Sequence, residues 1–349
     1  MKISKFLLSI FLLSVLLVSC DDDDEPQLPK GDYENGILIT NQGPFGSGTG
    51  TVTYIAEDFS TSQNTIYKAV NNEDLGNVLQ SLTFNNESAY LVVNVSNILV
   101  KVNRYTFEKE IAIINNLNNP RYAVVVNGKL FVTNWGDTSD ESDDYVAVFD
   151  AETLVYETSI SVDLGPEKVI ALGNNIYVAH EGAYGFNNKI SVIDVTSNSV
   201  SKVITVGDIP ASLTIDDENN LWVLCKGNPY YAPVETYGVL EKINTSSNEI
   251  VTSFDFVDSH PEHLSYTNGK LYYQNNGGIF EMETSSSALP TTSIITDSGY
   301  SFIANDDYAY VNDAKDYASS GEVRIYNLDT KQLEKTIEVG INPGGIYFN

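Results

Sequence analysis

Seven polar side chains stand at the ends of seven short apolar runs and are the first candidates for chemistry: Asn41, Asn94, Asn134, His180, Cys225, Asn275 and Asp313. Amides donate and accept hydrogen bonds but are poor acids and bases, and Asp313 is the only carboxylate of the set. The stretches that follow are rich in Gly, Ser and Asn and carry Phe45, Trp135, Tyr184, Phe186, Tyr230, Tyr231, Tyr237 and Tyr317. Aromatics with a polar tip offer large contact area at low entropic cost. Arg121, Tyr122, His260, His263 and Tyr300 fall in a second set of connections. The chemistry on offer is recognition of a large polar or amphipathic ligand. The predicted ligand-binding set is Asn41, Phe45, Asn94, Arg121, Asn134, Trp135, His180, Tyr184, Phe186, Tyr231, Tyr237, Asn275, Asp313 and Tyr317.

Other chemistry finds less support. His260-Pro261-Glu262-His263 has the look of a metal motif, but its spacing belongs to a strand entry rather than a helix. Asp137, Ser139, Asp140, Asp143 and Asp144 offer oxygens to calcium. That loop lacks the glycine and terminal glutamate of an EF-hand and reads as a solvated loop. Cys225 has no nucleophile motif around it and reads as packing on an inner strand. Gly-x-Ser-x-Gly, P-loop and dinucleotide fingerprints are absent from the sequence. We therefore predict a binding protein rather than an enzyme, with no metal site and no resident cofactor.

The elements that must position these residues are repeats. The seven runs include Leu130-Phe131-Val132-Thr133-Asn134 and Ile176-Tyr177-Val178-Ala179-His180, and their ends are spaced by 38 to 53 residues. Those are the lengths of propeller blades. Pro120, Pro166, Pro210 and Pro261 precede their strand ends at a nearly constant distance, with Gln80 and Gly299 in the same phase. A hairpin lies between, as in Val124-Val125-Val126-Asn127-Gly128-Lys129. A third strand reads Val146-Ala147-Val148-Phe149-Asp150 or Ile190-Ser191-Val192-Ile193-Asp194. A fourth ends near Gly207 or Gly340. Four strands per repeat predict an all-β, seven-bladed propeller with four-stranded blades over 36–349. The C-terminal phrase Pro343 to Asn349 lacks its second strand, and Gly36 to Asn41 at the other end supplies it. The ring is predicted to close there, which removes open edges. Second-to-third and fourth-to-first connections then share one face, and the seven strand ends should ring its central mouth.

The N-terminus reads as an address. Lys2 and Lys5 precede an apolar run from Phe6 to Val18 that is too short to span a bilayer as a helix. It ends in Leu17-Val18-Ser19-Cys20, which has the form of a lipobox. Residues 1–19 are predicted to be a lipoprotein signal peptide and Cys20 the lipidated new N-terminus, anchored by more than one acyl chain. Residues 20–35 form a leash that opens with Asp21-Asp22-Asp23-Asp24-Glu25, a self-repelling run that cannot join a core. The chain has 47 acidic against 19 basic residues and a net charge of −28. That balance argues against a nucleic-acid or anionic-membrane ligand, since phosphate binding needs clustered Lys and Arg.

The Val-x-Val-x-Asp-x-x-Thr/Ser rhythm with Val-Gly-x-x-Pro resembles the YncE-like family of seven-bladed propellers. The acidic run after Cys20 is similar to the export signal that sends Bacteroidetes lipoproteins to the outer face of the outer membrane. Together these features resemble the BtuG-like surface lipoproteins that bind vitamin B12. The resemblance implies cobalamin or another corrinoid as ligand and a TonB-dependent outer-membrane barrel of BtuB type as partner. A surface propeller that binds glycan or protein through the same face is the alternative.

Overall fold

The computed structural model describes residues 29–349. The predicted signal peptide, Cys20 and the acidic run lie outside the described residues. Seven antiparallel sheets follow one another around a ring, each taking consecutive strands of the chain. Blade 4 is representative, with strands Pro166–Leu172, Asn175–His180, Lys189–Asp194 and Ser199–Thr205 running from the centre outward. Six sheets have four strands. Blade 6 has three, Glu262–Thr267, Lys270–Asn275 and Gly278–Glu283, and its fourth position is reduced to a single bridge between Ile279 and Ile295. The ring has the predicted seven-bladed arrangement, and the fourth strand of blade 6 is short because the Ser285–Pro290 region offers no alternating apolar run to pair. A short helix, Ile66–Asn71, packs Ile66 and Tyr67 against the first two blades.

What holds the ring is the alternation of side chains along each second strand. Successive residues point to opposite faces of a strand, and here both faces meet another blade. In blade 4, Ile176 and Val178 pack with Phe131, Val146 and Val148 of blade 3. Their neighbours Tyr177 and Ala179 pack with Leu221 and Val223 of blade 5. The same division repeats in blade 2, where Leu91 and Val93 join blade 1 and Tyr90 and Val92 join blade 3. Residues buried on both faces read as continuous apolar runs, which is how these strands appear in the sequence. The last seam, between blades 7 and 1, joins Tyr310, Val323 and Ile325 to Ile37, Ile39 and Ile346.

Closure occurs where the two ends of the chain meet. Pro343–Phe348 pairs antiparallel with Gly36–Asn41, aligning Leu38 with Tyr347 and Ile39 with Ile346. Gly36 and Asn349 exchange backbone hydrogen bonds at 3.2 and 2.7 Å. The Asn349 amide then donates to the carbonyls of Tyr33 and Arg104, and its oxygen accepts from Arg104 Nε at 2.6 Å. The terminal residue therefore ties the closing strand to blade 2.

Leu38 is fully buried at the closing blade, whereas Leu333 on an outer strand is 49% exposed. Leu38→Ala is expected to cost about 2–5 kcal/mol, and Leu333→Ala to stay within about 0.5 kcal/mol. Urea unfolding midpoints of the two variants check this ordering.

Candidate functional site

The seven innermost strands surround a cavity of about 1060 Å³. Its wall is built by an irregularity that repeats around the ring. Pairing between inner and second strands slips just inside the mouth in blades 1 to 6, for example between Pro120 and Ala123, Pro166 and Val169, and Glu262 and Ser265. A bulge breaks the period-two alternation and re-aims side chains. Consecutive residues therefore both border the cavity: Arg121 and Tyr122, Glu167 and Lys168, Glu262 and His263. His263 takes a left-handed φ of 57° to do so, a conformation that non-glycine residues adopt at a cost. In the same phase, blade 5 offers only Ala211 and Ser212 and blade 1 only Gly344 and Gly345. Deeper along the inner strands the wall becomes apolar, with Leu82, Phe84, Val169, Leu213, Leu264, Phe302 and Ile346.

The second strands contribute a further ring, but one residue later than expected. Asn41, Asn134 and His180 are fully buried and stay within the blades, as does Cys225. The Asn41 amide donates to Thr53 Oγ1 at 3.0 Å, that of Asn134 to the Val132 carbonyl at 2.8 Å, and His180 Nε2 lies 2.8 Å from Ser191 Oγ. Burial drives the His180 imidazole down to about 4, so it is neutral at pH 7. The following residues, Gln42, Trp135, Glu181 and Lys226, are the ones that border the cavity. In blades 2 and 7 the chosen residues Asn94 and Asp313 already occupy this later position, and both line the wall. Asn275 holds it in blade 6 without bordering the cavity. The physical reason is again alternation: shifting the reading by one residue exchanges the seam for the mouth.

The rim separates into two groups. Phe45, Trp135, Tyr184 and Tyr317 border the cavity with Arg121. Trp135 meets Tyr184 edge-on at 5.8 Å and lies 3.9 Å from the Arg121 guanidinium, while Tyr317 meets Tyr300 edge-on at 5.6 Å. Phe186, Tyr231 and Tyr237 are exposed outside the cavity. Tyr231 pairs edge-on with Tyr230, and Tyr237 lies against His260. His260 is held away from the wall, its Nδ1–H donating to the Lys226 carbonyl at 2.9 Å. In the 137–144 loop the carboxylates serve nearby amides: Asp143 accepts from Asp137, and Asp140 from Ser142. Asp144 accepts from Gly165. Among the described residues, no three Asp, Glu, His or Cys side chains gather closely enough to hold a metal ion.

Gln42, Gln80, Glu167, Lys168, Glu181, Lys226 and Tyr347 were not among the sequence candidates. For five of them the signal was present beside a repeat marker: Gln42, Glu181 and Lys226 just after a strand end, Glu167 and Lys168 one and two places after Pro166; Gln80 holds the proline phase itself, and Tyr347 lies deeper on the closing strand. The wall they complete is charged and balanced. Arg121 grips Glu167 through two 2.7 Å hydrogen bonds, and both side chains are largely buried. Lys226 pairs with Glu262 at 2.9 Å, Lys315 with Glu322 at 3.3 Å, and Asp313 with Arg324 at 2.5 Å. Burial drives the His263 imidazole down to about 4, helped by Lys226 and Lys168. Burial pushes the Glu181 carboxyl up to about 7; nearby Glu167 adds to the rise, while Lys226, Lys168 and Arg121 resist it. The wall can thus offer anions, cations, amides and aromatic faces to one ligand.

The family described as "Domain of unknown function (DUF5074)" matches residues 35–308. No curated protein matches the chain. Among solved structures it is similar to the dihydro-heme d1 dehydrogenase NirN in complex with DHE, at 12% identity and a TM-score of 0.61, over 93% of this chain and 77% of that one. It is also similar to the hydrazine synthase of Kuenenia stuttgartiensis, at 15% identity and a TM-score of 0.55, over 74% and 85%. Apo AztD from Citrobacter koseri aligns at 10% identity and a TM-score of 0.53, over 89% and 96%. At these identities the likeness establishes the fold alone.

Because the Glu181 carboxyl is raised in the folded protein, its contribution to stability is full below the ordinary value of 4.5 and is lost as pH rises through about 7. Glu181→Gln should therefore match the parent in melting temperature near pH 4 and exceed it at pH 8. Melting curves across that range test the assignment, and a difference that does not grow with pH contradicts it.

Proposed function

This chain belongs to the DUF5074 family, and we propose that it is an outer-membrane surface lipoprotein that captures cobalamin or another corrinoid at the propeller mouth. It then hands the ligand to a TonB-dependent barrel of BtuB type. The observation that carries this reading is the wall of the cavity, where an amphoteric ring sits beneath an aromatic rim. A corrinoid has a broad apolar macrocycle fringed with amides, which need donors and acceptors in alternation. Gln42, Gln80, Asn94 and the charged ring supply both, and Phe45, Trp135, Tyr184 and Tyr317 supply surface for the ring edge. A cavity of about 1060 Å³ is at the upper end of small-molecule sites.

The lipobox at Cys20 and the acidic run after it support the surface location, and their combination with a YncE-like propeller and an aromatic mouth supports the choice of ligand. Hand-off needs a second surface. Tyr230 and Tyr231, 81% and 73% exposed, stand beside the cavity without lining it. Exposed tyrosines of this kind are typical anchors for a protein partner. Catalysis has no part in this reading. The runner-up reading is capture of a glycan, because aromatic platforms stack on sugars as well.

The purified protein mixed with cyanocobalamin is expected to carry the pink colour through gel filtration. Colour lost on the column, with binding retained on a polysaccharide array, favours the glycan reading. Trp135→Ala and Tyr317→Ala should each weaken cyanocobalamin binding by about 1 kcal/mol or more, measured by titration calorimetry. Unchanged affinity in both variants removes the rim from the site.

A further inference from the structure

Two of the charged side chains on the cavity wall have no ionic partner among the described residues. One is Lys168, in the bulge of the blade 4 inner strand. Its ammonium lies 3.9 Å from the centroid of the Tyr122 ring and within 4 Å of no carboxylate. The other is Glu181, just after the second strand of the same blade; its carboxylate accepts no hydrogen bond from the protein and forms no ion pair. Every other charged group on the wall is matched: Arg121 with Glu167, Lys226 with Glu262, Asp313 with Arg324, Lys315 with Glu322.

The isolation of these two groups follows from how the pairs are drawn. Glu167 precedes Lys168 in sequence and is a natural partner for it. The Arg121 guanidinium occupies both Glu167 oxygens in a planar fork, a geometry a lysine cannot match. Lys226 is near enough to influence Glu181, yet its ammonium is committed to Glu262. Of the three lysines on the wall, Lys168, Lys226 and Lys315, Lys168 is the one without a carboxylate. Burial makes the unmatched Glu181 carboxylate costly, whereas the Lys168 ammonium is met only by the face of the Tyr122 ring. Groups that persist at such a cost are commonly those that meet a ligand. On blade 5 beside them, and on blade 1 across the ring, the bulge offers only Ala211, Ser212, Gly344 and Gly345, which leaves room in the cavity.

We infer that the ligand of this cavity has two opposite polar ends, an anionic oxygen group taken by Lys168 and an N–H donor taken by Glu181. This deepens the corrinoid reading and rests on it for the choice of probe, but the two can fail separately. Ionised Glu181 is the form that accepts from a donor. The groups facing it are Lys226 of blade 5, Glu167 and Lys168 of blade 4 and Arg121 of blade 3. Binding through Glu181 therefore strengthens from pH 6 to pH 8.

The test uses cyanocobalamin, which carries a phosphodiester, and dicyanocobinamide, which lacks the nucleotide and its phosphate. Lys168→Met is expected to weaken cyanocobalamin roughly tenfold or more and cobinamide by less than about threefold. Glu181→Gln should weaken both and flatten their pH dependence. Equal affinity of the parent and Lys168→Met for cyanocobalamin overturns the anionic pole while leaving the corrinoid reading intact. If the parent binds neither probe, the corrinoid reading falls, and the ligand-free protein decides the inference. Removing the unmatched carboxylate should raise the melting temperature of ligand-free Glu181→Gln at pH 8, and an unchanged or lower value overturns it.

Discussion

The molecule depends on one constraint: each second strand must satisfy two neighbouring blades at once. Side chains alternate along a strand, so half of them enter one seam and half the other. Ile176 and Val178 cannot be improved for blade 3 without holding Tyr177 and Ala179 in register for blade 5. A slip of one residue would exchange the two sets and spoil both seams. Register is therefore strongly specified at every step around the ring. The closing strand extends the same condition to the termini, because Ile346 must reach the blade 7 seam while Tyr347 packs toward blade 2.

The repeated bulge is where this constraint is locally released, and the cavity is the result. Beyond the bulge the inner strands resume pairing, for example from Ala123 opposite Val132 and from Val169 opposite Val178. Within it, side chains no longer belong to a seam and can vary without disturbing the packing. The blades consequently share a core grammar while their bulge residues differ: an Arg-Tyr pair in blade 3, Glu-Lys in blade 4, a single Ala in blade 5, His-Leu in blade 6. A pseudo-symmetric scaffold thereby carries an asymmetric wall, which is what recognition of an asymmetric ligand requires.

The fold was legible because its determinants are local and repeated. Apolar runs, hairpin turns and the proline phase recur often enough to count blades and to find the half-blade at the C-terminus. The wall was legible only in part. Trp135, Arg121, Tyr184 and Tyr317 could be found as aromatic or basic residues in connections. Asn41, Asn134 and His180 were misplaced because the last polar residue of a run looks like the mouth of the strand, whereas its side chain still faces the seam. Two registers differing by one residue give the same apolar pattern. Only the pairing partner, Asn134 opposite Pro120 or His180 opposite Pro166, distinguishes them. Glu181 and Lys168 stood beside repeat markers, but in a chain so rich in charge nothing set them apart from the other acidic and basic residues.

The charge of the wall also has to be weighed against the charge of the whole. A net −28 would repel an anionic ligand at long range, but exposed charges are screened beyond roughly 8 Å at physiological ionic strength. Inside the cavity the count is different. Arg121, Lys168, Lys226 and Lys315 line it alongside Glu167, Glu181, Glu262 and Asp313, so the local balance is neutral while the surface is acidic. Low-dielectric walls strengthen whatever the unmatched groups offer. The acidic exterior then disfavours polyanions as a class, and on the proposed reading selection of a particular ligand falls to short-range contacts at the mouth.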